Sequence, residues 1–345
     1  MTTAAEAPGP AGRKGVRFLP RLRKGLFWAA LAGFSAWSVP AIAWSSLPVF
    51  LRPVAVLLVL GGEAAILRRF PAGPKRSASL AGLATAVVAL WSCIPPSNDR
   101  DWQPDVSRLA SAEFAGPRVT IRNVRNCEYR SETDFDVRYE DRAVDLDRIR
   151  TLDLFIVYWS SPAICHTMLS FGFDDGQYLC LSVEARKERG EGYSAVKGFF
   201  RQYELIYILA DERDLVRLRT NFRGEQVYLY RLRTDPVEVR AVFLDTLGRI
   251  NELRDRAEWY NALTHNCTSN LRDRTAPFAR KKIWSWKFVL NGYMDELVYE
   301  RGAIDQTLPF AELKRRSLVN EKARAAAADE RFSARIREGL PGLGR

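Results

Sequence analysis

Between Leu26 and Pro48 the chain runs for twenty-three residues without a charged side chain. A stretch of that length can cross a hydrocarbon core of about 30 Å as a helix. Pro40 interrupts it, which membrane helices tolerate better than soluble ones. Two further apolar runs follow. Val49–Leu67 carries Arg52 near its start and Glu63 near its end, both placed to snorkel toward an interface. Ala78–Ile94 is short and uncharged and leads into Pro95-Pro96. The pattern predicts a three-helix transmembrane anchor over residues 26–96.

The cations orient that anchor. Arg13, Lys14, Arg17, Arg21, Arg23 and Lys24 precede the first run, Arg68, Arg69, Lys75 and Arg76 lie between the second and third, and Ser45–Phe50 has no Lys or Arg. Positive charge stays on the cytoplasmic side, so the basic N-terminus (residues 1–25, with an Ala-, Pro- and Gly-rich Met1–Gly12 expected to be disordered) is inside and everything after Ile94 is outside. Three apolar runs without a clear Ala-x-Ala site argue against a cleaved signal peptide.

Charge also excludes a function class. The net charge is +11, yet Met1–Arg76 holds eleven Lys/Arg against two acids, leaving only +2 for the other 269 residues. The basic balance belongs to the membrane segment, and no helix-turn-helix, zinc-finger or aromatic RNA-binding pattern appears, so nucleic acid is not an expected partner.

From Asp99 onward charged and apolar residues interleave as in a globular domain, expected over residues 97–315. Strands are predicted at Arg118–Val124, Leu152–Trp159, Thr167–Phe173, Tyr178–Glu184, Tyr203–Ala210 and Gln226–Leu232. Asp174-Asp175-Gly176 forms a tight hairpin between the third and fourth. Asp235-Pro236 is a helix start, running to about Arg254, and another helix begins near Cys267. Strands first and helices later give an α+β domain with an antiparallel sheet. Residues 316–345 form a charged tail, with a helix expected over Asn320–Gly339.

The chain has five cysteines (Cys93, Cys127, Cys165, Cys180 and Cys267) and two histidines, His166 and His265. An odd count leaves at least one thiol unpaired, and there is no CxxC. With so few histidines and no spaced cysteine pairs, a zinc site lacks ligands, and no metal or cofactor is expected. Both histidines stand beside cysteines. Thiol catalysis needs a thiolate, which a nearby imidazole and a helix N-terminus favour. Cys267 follows the polar turn Thr264-His265-Asn266 and opens a helix, which makes it the candidate nucleophile.

His166 starts a strand, and the loop length decides what faces it. With Asp174-Asp175-Gly176 as a three-residue loop, Phe173 faces Gln177 and His166 falls opposite Glu184, which could orient the imidazole as a triad's third member does. A two-residue turn would put Thr167 opposite Glu184 instead. Glu184 could equally be part of a salt bridge within Glu184-Ala-Arg-Lys-Glu188. Cys165 points to the other face and is a poor nucleophile; His265, two residues before Cys267, suits a surface or gating role. Ser170 and Ser182 lack a G-x-S-x-G setting, so a serine hydrolase is disfavoured.

Several motifs together resemble a known family. Arg122-Asn-Val-Arg-Asn126, Tyr158-Trp159, His166-Thr-Met-Leu-Ser-Phe-Gly-Phe173, Ser182-Val-Glu-Ala-Arg-Lys-Glu188, Gly198-Phe-Phe-Arg-Gln-Tyr-Glu-Leu205 and Asn266-Cys-Thr268 resemble, over roughly Asn98–Phe310, the bacterial Lnb N-terminal periplasmic domain. The resemblance implies a thiol acyltransferase of the inner membrane, with its catalytic domain in the periplasm. Such an enzyme moves an acyl chain from the diacylglyceryl group of a lipoprotein to its N-terminal cysteine amine. It also implies a permuted papain-like fold, as in the NlpC/P60 and lecithin:retinol acyltransferase enzymes, in which the histidine strand precedes the cysteine helix. Mapped here, Cys267 would be the nucleophile, His166 the general base and Glu184 the orienting residue. The expected partners are the lipid bilayer and a lipoprotein or phospholipid-like acyl substrate. Two alternatives stand beside this: a cysteine peptidase or amidase on cell-wall peptides, and a membrane-tethered binding domain with a degenerate thiol site.

Overall fold

The computed structural model describes residues 18–159, 161–275, 285–288 and 290–343; the expected disorder of Met1–Gly12 and the cations Arg13, Lys14 and Arg17 lie outside them. The chain divides into two compact units, Met1–Pro95 and Pro96–Arg345.

The described residues of the first unit form three helices: α1 (Phe18–Ala43), α2 (Leu51–Arg69) and α3 (Pro74–Ser92). They fall where the apolar runs are, but the expectation of three crossings needs correction. Among the described residues only α1, over Pro20–Ala43, is long and apolar enough to cross a membrane. α2 carries Arg52, Glu63, Arg68 and Arg69 within 19 residues. Its internal charges are tied to α1 and the following turn rather than snorkelling. Arg52 donates to the Leu47 and Ala43 carbonyls (2.8 and 3.4 Å), and Ser35 donates to buried Glu63 at 2.8 Å. α3 opens with Lys75 and Arg76, dilutes its leucines with Ala, Ser, Gly and Thr, and lays the Arg76 guanidinium 4.9 Å from the Phe27 ring.

Among the described residues the second unit has ten strands. They are β1 (Ser111–Ala115), β2 (Arg118–Arg125), β3 (Glu128–Tyr129), β4 (Phe135–Asp136), β5 (Tyr139–Asp145), β6 (Ile149–Tyr158), β7 (His166–Phe173), β8 (Tyr178–Arg186), β9 (Glu204–Ala210) and β10 (Gln226–Arg231). Eight form one sheet in the order β1-β2-β9-β8-β7-β6-β10, with β5 also paired to β2; β3 and β4 form a separate ribbon. Every pairing is antiparallel except β2 with β9, which touch in parallel at Arg125 and Ala210. The chain is therefore a mixed α+β protein with a mostly antiparallel sheet. All six strands read from the sequence are present to within a few residues. β1, β3, β4 and β5 were not foreseen, because they are short, charged or at the sheet's edge.

Both sheet faces are covered, which explains the nearly continuous apolar character of β6–β9. On one face Leu154, Ile156, Leu169, Phe171, Leu181 and Leu205 lie under α5 (Pro236–Asp255) and α6 (Cys267–Thr275). Phe171 meets Phe243 of α5 at 4.8 Å. α5 begins as expected, with Asp235 accepting from the Glu238 N–H at 2.9 Å and Pro236 in the first turn. On the other face Phe155, Met168, Cys180, Ile206 and Leu229 are covered by α4 (Glu212–Arg217) and the chain's last segment. Among the described residues α6 is followed by the short helices α7 (Met294–Glu300), α8 (Phe310–Arg316), α9 (Asn320–Ala325) and α10 (Phe332–Arg335).

The stretch set apart in sequence as a charged tail is thus part of the globular unit. The single helix expected over Asn320–Gly339 is broken into α9 and α10, because this segment follows the sheet instead of standing free. Leu229 N–H donates to the Ser317 carbonyl, and Val319 N–H donates to Val227. Val319, Ala323, Phe332 and Ile336 then bury themselves against the core. Arg337 completes the attachment. Its guanidinium bonds the fully buried carboxylates of Asp153 (2.8 Å) and Glu212 (2.6 and 2.7 Å) and lies 3.6 Å from the centre of the Tyr178 ring. Ser170 and Arg231 bond the same two carboxylates. Removing the cation leaves two buried anions short of partners, which costs about 3–5 kcal/mol. Arg337→Ala is therefore expected to lower the thermal unfolding midpoint of the detergent-solubilised protein by several degrees. The exposed Arg315→Ala, whose carboxylate partner is on the same helix surface, leaves it within about a degree.

Candidate active site around Cys267

The hairpin between β7 and β8 turns through a three-residue loop. Phe173 N–H donates to the Gln177 carbonyl at 3.0 Å, and Gly176 takes the left-handed conformation (φ 84°) that closes the turn. The ladder then pairs Gly172 with Tyr178 and Met168 with Ser182. Continued by two residues, the register brings His166 level with Glu184.

The two do not bond directly. His166 Nε2 lies 4.0 Å from Glu184 Oε1, and the Ser182 hydroxyl stands between them: it is 2.8 Å from His166 Nε2 and donates to Glu184 Oε1 at 2.7 Å. With its proton committed to the carboxylate, the serine oxygen accepts from the ring, so Nε2 carries a proton. Glu184 is held in turn by Arg219, whose Nη2 donates at 3.0 Å. Arg219 sits in the π-helical turn Leu218–Phe222 that continues α4. Burial raises the Glu184 pKa, but the charges of Arg219, His166 and Arg125 and the Ser182 hydrogen bond outweigh it and hold the carboxyl far below its usual range. The carboxylate is a fixed negative charge behind the imidazole.

Cys267 arrives from the opposite face of the sheet. Asn266 caps α6: its Oδ1 accepts from the Ser269 N–H, and Ser269 Oγ accepts from the Asn266 N–H, both at 2.9 Å. This reciprocal cap makes Cys267 the first residue of the helix, where backbone N–H groups have no partner within the helix. Tyr207 anchors the same turn by donating to Asn270 at 3.0 Å. The thiol is nearly buried (7% exposed) and hydrogen-bonded to His166. Burial alone would raise its pKa. The charge and hydrogen bond of His166, the Thr167 N–H and the Thr268 hydroxyl overcome that and bring it down to about 6. Ionisation of the thiol is thus favoured beside His166, whose Nε2 is tied to the Ser182–Glu184–Arg219 relay.

The remaining candidates fall away from this pair. His265 is exposed, its Nδ1 2.9 Å from the Thr264 hydroxyl in the turn Asn261–His265. Cys165 is buried, donates to the Asn291 carbonyl at 3.0 Å, and has its pKa pushed well up by burial and by the Cys267 charge. Ser170 serves the Arg337 cluster. All five cysteines are free thiols. Sequence reasoning missed Ser182 as the bridge, Arg219 and Asn291. Ser182 was visible in principle, two residues before Glu184 on the same strand face; the other two come from distant segments with no local signature.

Large apolar side chains stand exposed on the connections at the His166 end of the sheet: Trp159 and Ile164 between β6 and β7, Tyr193, Val196 and Phe199 between β8 and β9, and Leu263 just before Cys267. The β8–β9 connection and the segment before Cys267 are bound together, with Ala262 N–H donating to the Gly198 carbonyl and the Tyr193 and Tyr260 hydroxyls 3.3 Å apart. At the opposite end the β7–β8 hairpin is wrapped in ion pairs, Arg148 and Arg150 both holding Asp174.

The family comparison agrees with the domain just described. Residues 135–292 match the family model of the Lnb N-terminal periplasmic domain. No curated protein and no solved structure matches it. The match spans His166, Ser182, Glu184, Arg219 and Cys267.

The relay makes a specific demand on Glu184. Glu184→Gln keeps an acceptor for Ser182 but removes the charge behind the imidazole. The Cys267 titration midpoint should then rise by about one unit above its value near 6. The pH dependence of Cys267 alkylation, read on the Cys267 peptide by mass spectrometry, checks this; a midpoint unmoved in both Glu184→Gln and Ser182→Ala removes the relay from the site.

Proposed function

We propose that this protein is a membrane-associated, periplasmic cysteine acyltransferase that uses Cys267 and His166 to form an acyl-enzyme from a lipid ester. The reading is carried by one arrangement: a nearly buried thiol that opens a helix beside His166, whose ring is tied through Ser182 to Glu184. The family match supports a periplasmic domain, and α1 supports attachment to a membrane.

In the first half-reaction the Cys267 thiolate attacks the ester carbonyl carbon. The tetrahedral oxyanion is received by backbone N–H donors at the start of α6. As it collapses, the C–S bond stays, the C–O bond to the glyceryl oxygen breaks, and the imidazolium of His166 gives its proton to the departing alkoxide. An amine then attacks the thioester. Its nitrogen bonds the acyl carbon, the C–S bond breaks, and the proton lost by the amine returns to His166, restoring the thiolate–imidazolium pair. Ester plus amine become alcohol plus amide. With water in place of the amine the same residues hydrolyse the ester. Glu184, through Ser182, stabilises the imidazolium, as an orienting carboxylate does in a triad. The strand-then-helix order of His166 and Cys267 accords with a permuted papain-like arrangement.

The exposed Trp159, Ile164, Tyr193, Val196, Phe199 and Leu263 favour a lipid over a cell-wall peptide. Apolar side chains left exposed on the connections at the His166 end of the sheet suit a hydrocarbon chain. Incubation with a diacylglyceryl-bearing lipopeptide carrying a labelled acyl chain should label the protein through a hydroxylamine-sensitive bond at Cys267. Cys267→Ala should abolish the label, and turnover should fall by roughly 10⁴-fold or more. No labelling with the lipid ester, together with Cys267-dependent cleavage of a cell-wall peptide, would replace this reading with the peptidase. Inertness toward both substrates would leave a binding domain.

A further inference from the structure

The thiol and the imidazole belong to different segments. β7 and α6 lie about 100 residues apart in the chain, and a third segment joins them. Asn291, in the short turn Asn291–Tyr293, is 8% exposed, and every polar atom of its side chain is bonded to one or other half of the site. Its Oδ1 accepts from the Cys165 N–H at 3.0 Å, and its Nδ2 donates to the Cys165 carbonyl at 2.8 Å. Those two backbone partners fix which amide atom is oxygen and which nitrogen. Nδ2 also donates to Thr268 Oγ1 at 2.7 Å. One amide thus bonds the residue immediately before His166 and the residue immediately after Cys267.

The rest of the turn holds the amide there. The Cys165 thiol donates to the Asn291 carbonyl at 3.0 Å, and Gly292 N–H donates to the Ala163 carbonyl at 3.0 Å. Gly292 approaches so closely that an added Cβ would fall 2.1 Å from the Pro162 carbonyl oxygen. On its far side Tyr158 donates to the Gly292 carbonyl at 2.7 Å; this tyrosine also bonds the buried Asp295, which Lys314 pairs at 2.8 Å.

We propose that Asn291 is a positioning residue for the thiolate: it sets the separation of Cys267 from His166 and turns the Thr268 hydroxyl toward sulfur. The second effect follows from donor arithmetic. A hydroxyl that accepts from an amide N–H has its own proton left to donate. Thr268 Oγ1 lies 3.9 Å from Cys267 Sγ and 3.4 Å from Thr167 Oγ1. Asn291 touches neither reacting atom. Its role rests on the Cys267–His166 reading above and acts only through that pair.

The test is the pH profile of Cys267 alkylation by iodoacetamide in full-length detergent-solubilised protein, read on the Cys267 peptide so that exposed Cys93 does not contribute. Asn291→Ala should raise the titration midpoint by about one unit. That appears as a roughly tenfold slower reaction near pH 5 and an unchanged rate near pH 10, where all the thiol is ionised. Asn291→Asp should raise it further, because a carboxylate cannot donate to Thr268 and adds a negative charge beside the thiolate. Thr268→Val removes the hydroxyl while leaving both Cys165 bonds in place. It should move the midpoint the same way, and its effect should not add to that of Asn291→Ala. This second variant keeps the test open if Asn291→Ala folds poorly. Wild-type midpoints in both Asn291→Ala and Thr268→Val, with only thermal stability reduced, would overturn the proposal and leave Asn291 a structural clamp. A midpoint near that of free cysteine in the wild type would instead overturn the pair itself, and the positioning role with it.

Discussion

The register of the β7–β8 hairpin is the constraint on which the site depends. Side chains alternate along a strand, so a slip of one residue would move His166 away from Ser182 and Glu184 and turn a continuous relay into three unrelated residues. The three-residue loop Asp174-Asp175-Gly176 prevents this slip. Its glycine supplies the positive φ, and Arg148 and Arg150 neutralise Asp174 at the tip. The ladder is buried on both faces, so a shifted register would also exchange the two apolar cores, which are shaped by different helices.

Within that frame the chemistry is a contest between desolvation and neighbouring charge. A buried thiol resists ionisation, yet Cys267 has enough compensation from His166, Thr167 N–H and Thr268 to titrate near 6. At Cys165 and Cys180, more fully buried, burial outweighs the nearby cations Lys314, Arg219 and Arg337, and the thiols are pushed well up. The same contest is resolved differently at Arg337, where two buried carboxylates and a guanidinium satisfy one another and nothing is left for a substrate. Burial thus fixes structure in one cluster and leaves a thiol disposed to ionise in the other, according to whether the partner charges are saturated.

This also explains what could be read in the sequence. The strands β6–β9, the cap of α5 and the helix opening at Cys267 carry local signals: apolar runs, Asp-Pro, and a polar turn before a cysteine. His166, Glu184 and Cys267 were reachable because a strand register and a helix start place them. Ser182 escaped because a serine on a strand is usually packing, and Arg219 and Asn291 because their partners are distant in sequence. The apolar runs of the N-terminal segment were over-read for the same reason. Hydropathy registers Arg52 and Glu63 as tolerable near an interface, whereas their actual bonds are to Leu47, Ala43 and Ser35 of neighbouring segments. Asn320–Gly339 reads as one helix until the edge of β10 is there to interrupt it.

Separation along the chain divides the site into two halves with different origins. The His166–Ser182 bond spans 16 residues and forms with the hairpin itself. The contact between Thr167 and Thr268 spans 101 residues, and that between Cys165 and Asn291 spans 126. Loop closure over such distances yields nothing until the final contacts are made. The imidazole and its carboxylate are therefore built by local structure, while the thiol is delivered by α6 and secured by a turn more than twenty residues beyond it. The imidazole relay can stand complete without the thiol, but the partners that favour ionisation of the thiol reach it only where the two halves meet, so its titration reports directly on the long-range closure of the fold.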